Sequence, residues 1–351
     1  MNQNLEKQTK LSIIIPFYNA KNTLRRAVDS VLTQGYPNIE ILLIDDGSTD
    51  GSSDIGDEIA NLACYHLENA GPSVARNYGI KEATGNLVGF LDSDDYFLPD
   101  CFNNVLKDYH RNHPDIIAFG LSKGKNIENA NLFVPEKKIG CSSEEAIEQM
   151  FRSKAVDFYV WNKFFKRELF NHIVFPENKL YEDMVPMYEA FRAASKIDIL
   201  PFSGIFYYQN NDSIVYQSFN SKQYDNILQR KILVDEVKKD YPRLINLANA
   251  RLVDGYLSTG FKITGKNQNQ KEKQKYYNQS KREIKSIYSK IRSNNEISIA
   301  KKLALFLYLI NPKTYFILYK KVLKNKVFFD MLFFMFINFG RLKLLLVMIH
   351  L

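Results

Sequence analysis

Two acidic clusters in this chain stand where carboxylates could meet phosphate. Asp92-Ser93-Asp94-Asp95 follows the apolar run Asn86–Leu91, and Asp45-Asp46-Gly47-Ser48 follows Ile39–Ile44. Carboxylates one residue apart at a strand's end can face the same diphosphate. A divalent cation between them would take oxygen ligands and offset charge on a departing group. An isolated Asp-x-Asp is equally a solvated loop or a helix cap ahead of Pro99. A third pair, Glu182-Asp183, precedes the helical stretch Met184–Ala194. There it either caps the helix and complements its dipole or supplies a general base. Arg76, in the segment NAGPSVARNYGI (69–80), reads as a phosphate or base contact, or as a partner for Asp45 or Asp46. In the same segment Ser73 is a candidate helix cap.

The elements that position these clusters alternate between two periods. Leu11–Pro16, Ile39–Ile44, Ala63–Leu67, Asn86–Leu91 and Asp115–Phe119 are short apolar runs and predict strands. Asn22–Gln34, Ser52–Leu62, Ser73–Ala83 and Pro99–His110 carry helical spacing. Strands alternating with helices predict an α/β fold with a mainly parallel sheet covered on both faces. In such sheets ligands bind beyond the carboxyl ends of the strands, which is where both Asp clusters and Pro16-Phe17-Tyr18-Asn19 fall. An aromatic, a carboxylate for a base N–H and carboxylates for a metal together describe a nucleotide site.

Beyond Gly120 the pattern loosens. SKGKNIENAN (122–131) reads as a loop, Ser143–Phe151 as a helix, and Ile197–Leu200 and Ile205–Tyr208 as two strands. After about Ser221 the chain turns helical and charged, with a polar break at Gly265–Lys275. Trp161, the single tryptophan, is either a sugar-stacking face or a core aromatic. His110 and His113 are spaced i, i+3 with no third ligand near in sequence, and read as surface residues.

Composition bounds the class. The chain has 351 residues, 45% hydrophobic and 25% charged, as expected of a globular protein with one large domain and an appendage. Three cysteines without a C-x-x-C pair argue against a disulfide scaffold or thiolate zinc site and fit a reducing compartment. The polar N-terminal MNQNLEKQTK carries no visible secretory signal. Of the net charge of +8, residues 311–351 contribute seven basic side chains against one acidic, a net +6. That charge lies beside the apolar stretches Leu303–Ile310 and Val327–Leu351, which favours a membrane surface over nucleic acid. The longest uncharged run, Met331–Gly340, is ten residues, short of the ~18–20 needed to cross a bilayer. The tail is therefore expected to lie at the interface, or to pack as a helical hairpin on the rest of the chain or on a homodimer partner.

The order and spacing of IIIPFYNAKNTLRRAVDSVLTQ, ILLIDDGSTDGS, NAGPSVARNYGI, FLDSDD, VWNKFFKRELF and YEDMVPMYEAF resemble the family 2 glycosyltransferases, over about Leu11 to Tyr208. The resemblance implies a GT-A fold over residues 1–220, with a nucleotide-sugar half (11–119) and an acceptor half (120–220), followed by a helical region at 221–351. It implies that Pro16, Phe17 and Tyr18 frame the base, that Asp46 binds the uracil N–H, and that Arg76 meets the base or diphosphate. Asp92 and Ser93 would then lie on the ribose and metal side, Asp94 would ligate Mn²⁺ or Mg²⁺, and Asp183 would be the base, ahead of Glu182. Gln209 stands where many relatives carry an arginine, so no acceptor-phosphate contact is assigned there.

The expected activity is inverting transfer from a UDP-sugar to a lipid-linked or polysaccharide acceptor, in bacterial capsule or exopolysaccharide synthesis. The expected setting is the cytoplasm, at the inner face of the membrane. Two rivals are an aspartyl phosphohydrolase using Asp92 and an inactive sugar-nucleotide-binding scaffold. Tyr96 breaks the D-x-D-x-[TV] pattern the first requires, and the intact Asp92, Asp94 and Asp183 argue against the second.

Overall fold

The computed structural model describes residues 9–59, 63–209, 219–265 and 269–324. Chain contacts divide it into two compact units, Met1–Tyr216 and Gln217–Leu351.

The first unit is built on one ten-stranded sheet. Its strands are β1 (Leu11–Phe17), β2 (Ile39–Asp45), β3 (Ala63–His66), β4 (Leu87–Phe90), β5 (Tyr96–Phe97), β6 (Ile116–Gly124), β7 (Asn131–Phe133), β8 (Lys138–Cys141), β9 (Lys163–Lys166) and β10 (Ile197–Tyr208). The main order is β3-β2-β1-β4-β9-β6-β10-β5. The first four strands of that order are all parallel, as the apolar, fully buried β1 and β4 require. β6 and β10 are also parallel, while β9 runs antiparallel between β4 and β6. The central sheet is thus mixed but mostly parallel. Helices α1 (Leu24–Leu32), α2 (Ser52–Glu58), α3 (Pro72–Glu82), α4 (Cys101–Asn112), α5 (Ser143–Arg152) and α6 (Met184–Ala193) connect and flank it.

Helix α3 lies close on the sheet because Gly79 faces β1. A Cβ at Gly79 would sit 2.4 Å from Ile14 Cγ2, so only glycine permits this approach. Gly71, at φ +96°, makes the turn into α3.

Three differences from the expected elements have physical causes. Ile197–Leu200 and Ile205–Tyr208 are one strand, β10, whose register shifts around Pro201 absorb the proline. The loop expected at SKGKNIENAN instead begins within β6 and ends within β7. The central strand β9 was not expected: it is four residues with a lysine at each end, too short for a period to show. Lys163 is fully buried and donates to Asp157 O (2.7 Å), Tyr159 O (2.6 Å) and Asn162 Oδ1 (2.7 Å), which meets the demand of a buried ammonium.

The second unit is helical, as its charge and spacing predicted: α7 (Asp225–Asp240), α8 (Ile245–Thr264), α9 (Gln270–Ser293), α10 (Ile299–Ile310) and α11 (Pro312–Lys324). Its core joins Ile227, Val253, Tyr256, Ile284, Leu305 and Tyr308. Among the described residues no helix is long and apolar enough to cross a membrane. The Val327–Leu351 stretch lies outside the described residues.

Candidate active site

The carboxyl ends of β1, β2 and β4 gather three loops. The first two are tied together: Asp46 N donates to Phe17 O (2.9 Å), Thr49 N to Asn19 Oδ1 (2.8 Å), and Asn19 N to Ser48 Oγ (3.0 Å). Pro16 and Phe17 are buried within β1, so of the expected base frame only Tyr18, 50% exposed, presents a ring to solvent.

Asp46 is held by the backbone at the start of α3. Its Oδ1 accepts from Ala70 N (2.8 Å) and Gly71 N (3.1 Å), and its Oδ2 accepts from Gly71 N (2.9 Å). The carboxylate braces the turn that starts α3. Asp45 is spent likewise, on Ser48 N (2.9 Å) and Ser53 Oγ (2.6 Å).

Arg76 pairs with neither. Its guanidinium is buried, and donates through Nη1 to Glu182 Oε1 (2.5 Å) and through Nη2 to Asp92 Oδ1 (3.1 Å). The two carboxylates hold it charged well above the usual arginine range, against the cost of burial. One side chain therefore joins the Asp92 loop to the Glu182-Asp183 pair. Glu182 Oε1 is thus committed to Arg76.

The rest of the α3 face does the same work. Ser73 Oγ donates to Pro176 O (2.7 Å), Asn77 Nδ2 to Phe175 O (2.9 Å), and Phe175 N back to Asn77 Oδ1 (2.9 Å). Positions i, i+3 and i+4 share a helix face, so Ser73, Arg76 and Asn77 clamp the 175–182 loop along its length. Ser73 thus serves that loop, with no side-chain cap found at the start of α3. Within the clamped loop Tyr181 is held at φ +58°, a conformation that a bulky residue adopts only under constraint.

Asp183 follows. No hydrogen bond reaches its carboxylate among the described residues. Desolvation and then Glu182 push it up to about 7, against the pull of Arg76, with Asp157 and Asp92 adding repulsion. That value suits a general base.

The Asp92–Asp95 loop is organised for charge. Burial and the neighbouring Asp92 raise Asp94 to about 6. Asp95 is fully buried, its acidity reduced by burial and then by Asp94 and Asp92. Its Oδ1 accepts from Tyr208 N (2.8 Å), while Oδ2 has no hydrogen-bond partner among the described residues. Arg26 Nη2 donates to Asp94 O (2.6 Å), and its guanidinium lies 5.0 Å from both the Tyr96 and Tyr208 rings. Concentrated carboxylates that are costly to ionise suit a hard divalent cation, so Asp92 and Asp94 fit the expected metal on donor chemistry. Ser93 lies half-buried between them. Arg26, Asn77 and Asp95 lie inside the motifs of the sequence, yet nothing in their spacing marked them as site residues.

Trp161 does not offer a sugar face. It is 3% exposed, stacked on Tyr159 at 4.5 Å and Tyr207 at 5.3 Å between ring centroids. The half-buried Tyr159 and Tyr207 carry the accessible part of that stack. Tyr207, raised in pKa by burial and then by Asp95, lies in the field of the Asp92–Asp95 loop.

The family model described as Glycosyl transferase family 2 matches residues 12–174. The uncharacterized glycosyltransferase EpsJ of Bacillus subtilis (strain 168) is 31% identical over 233 residues, 63% of this chain and 67% of that protein. The minor teichoic acid biosynthesis protein GgaA of the same strain is 31% identical over 254 residues, 65% of this chain and 55% of its own length. The structure of S. aureus TarS in complex with UDP-GlcNAc aligns with a TM-score of 0.66 at 18% identity, covering 90% of this chain and 91% of that one. At that identity the likeness is one of fold.

Proposed function

The chain belongs to glycosyl transferase family 2, and from that premise we propose an inverting transfer from a UDP-sugar to an acceptor hydroxyl, with Asp183 as base. It is a glycosyltransferase with a GT-A fold. The carrying observation is the link from Asp92 through Arg76 to Glu182 and Asp183, which unites a donor-side and an acceptor-side group. This agrees with a division of residues 1–220 into donor (11–119) and acceptor (120–220) halves.

In this reading the acceptor hydroxyl gives its proton to Asp183 as its oxygen bonds to the anomeric carbon. The bond from that carbon to the diphosphate breaks on the opposite face, and its electron pair leaves with the diphosphate. Configuration inverts, and no covalent enzyme intermediate forms. A base in reach contributes about 10²–10⁴-fold. Arg76 holds Asp92 and the Asp183 loop in mutual register. Asp92 and Asp94 would hold Mn²⁺ or Mg²⁺, which would offset the negative charge gathering on the departing UDP. Tyr18 supplies the exposed ring for the uracil.

The acceptor is proposed to be a lipid-linked or polysaccharide hydroxyl in bacterial surface glycan synthesis. The printed roles of relatives such as GgaA and the basic, apolar composition of 311–351 support this. The test incubates purified protein, Mn²⁺ and a panel of UDP-, GDP- and dTDP-sugars with membrane-extracted glycolipid, and follows nucleoside diphosphate release and the new anomeric linkage. Transfer from one UDP-sugar with inverted configuration supports the reading. Retained configuration, or orthophosphate release without glycosylated product, overturns it.

A further inference from the structure

At the sheet edge, Asp57, Cys64 and His66 bring a carboxylate, a thiol and an imidazole together, with one ligand atom from each within 4.8 Å of the others. No part of the proposed reaction uses them. Cys64 and His66 lie two apart on β3 and so share a face of the strand. Asp57 overhangs that face from the last turn of α2.

Two further features fix the geometry of this trio. The first is Gly56. A Cβ there would sit 2.8 Å from Cys64 Sγ, so glycine is what lets α2 come down onto the sulfur. The second is Asp45, whose Oδ2 lies 3.1 Å from His66 Nδ1 while His66 Nε2 lies 3.3 Å from Asp57 Oδ1. A carboxylate on one ring nitrogen fixes the proton there and turns the other nitrogen's lone pair outward, the arrangement that supports metal-bound imidazoles. Here the other nitrogen meets a second carboxylate, Asp57, and the two acids together raise the His66 pKa; an ion held between Nε2, Asp57 and the Cys64 sulfur would take the place of the Nε2 proton.

We propose that Asp57, Cys64 and His66 form a zinc-class transition-metal site, separate from the Asp92–Asp94 site, with Asp45 orienting His66 from behind. One sulfur, one nitrogen and one oxygen ligand suit Zn²⁺ in a tetrahedral site whose fourth position is open to water. The same set is poor for Mn²⁺ or Mg²⁺, which prefer all-oxygen ligands. The two sites would thus sort cations by softness. Because Asp45 also accepts from Ser48 N and Ser53 Oγ, an ion on His66 would stiffen the loop that follows β2.

The test titrates Co²⁺, a coloured stand-in for Zn²⁺, into metal-free full-length protein. The expected result is a thiolate-to-cobalt charge-transfer band that saturates at one equivalent and is erased by Zn²⁺. The band must vanish in Cys64→Ser and persist in Asp94→Asn. Zn²⁺ affinity in His66→Gln, measured by chelator competition, must fall at least about tenfold, the low end for disturbing even an outer-shell partner. That arm decides the question if Cys64→Ser melts early. No thiolate band at stoichiometric Co²⁺, a band surviving Cys64→Ser in folded protein, or unchanged Zn²⁺ affinity in His66→Gln would overturn the site.

Discussion

Arg76 stands between Asp92 and Glu182 and donates to both, at 3.1 and 2.5 Å. Through it, a carboxylate on the donor side and the loop bearing Asp183 move as one unit. Arg76→Ala would leave two carboxylates partly buried without their cation, a change that costs about 3–5 kcal/mol in comparable pairs. Arg76→Lys retains the charge but not the fork that spans both partners. We expect Arg76→Lys to melt near wild type yet lose most of its turnover, and Arg76→Ala to lose both. Thermal melts beside initial rates distinguish the two.

Asp183→Asn should lower kcat by about 10²–10⁴-fold without lowering the melting temperature. The sign follows from linkage. The folded pKa, about 7, lies above that of an unfolded aspartate, so between those values the native state holds the extra proton. Wild-type stability therefore falls as pH rises toward 7, while the asparagine variant has no such loss. The stability gap in favour of the variant should widen across that range and level off above it. Wild-type activity should rise with pH through about 7, as the carboxylate becomes free to accept a proton.

The alternation from Leu11 to Phe119 was legible because β1, β2, β4 and β6 are apolar runs with turn residues at their ends. The acidic clusters were legible for the same reason, since polar residues at strand ends stand out. The connections between them were not. Arg76, Ser73 and Asn77 meet partners about a hundred positions away, and spacing within one helix cannot name such partners. The bracing of Asp46 was hidden because its partners are backbone amides, which leave no mark in a sequence. Strand β9 was hidden because four residues with a lysine at each end are too short for a period to show.

Asn77→Ala removes both hydrogen bonds to Phe175 and leaves that backbone N–H and C=O wanting partners. A loss of about 1–3 kcal/mol is expected from each buried group left unsatisfied. The loop bearing Asp183 should loosen, so kcat should fall while the affinity for UDP stays near wild type. Denaturant melts and UDP titrations together check this.

Arg26 holds Asp94 by its backbone carbonyl while lying between two tyrosine rings. Arg26→Gln should leave the fold intact, since the side chain is exposed. Loosening of the Asp94 turn should raise the Mn²⁺ concentration needed for half-maximal activity several-fold. A variant with an unchanged metal requirement would assign Arg26 to surface packing alone.

In the proposed reaction, Asp92 and Asp94 make a metal-dependent site for the diphosphate of a uridine nucleotide. Calorimetric titration of UDP into wild type and Asp94→Asn, each with Mn²⁺ and with EDTA, tests it most directly. We expect one-to-one binding by wild type with Mn²⁺, and binding weakened at least about tenfold by EDTA or by the substitution. Equal UDP affinity in all four titrations, or none in any, would contradict it.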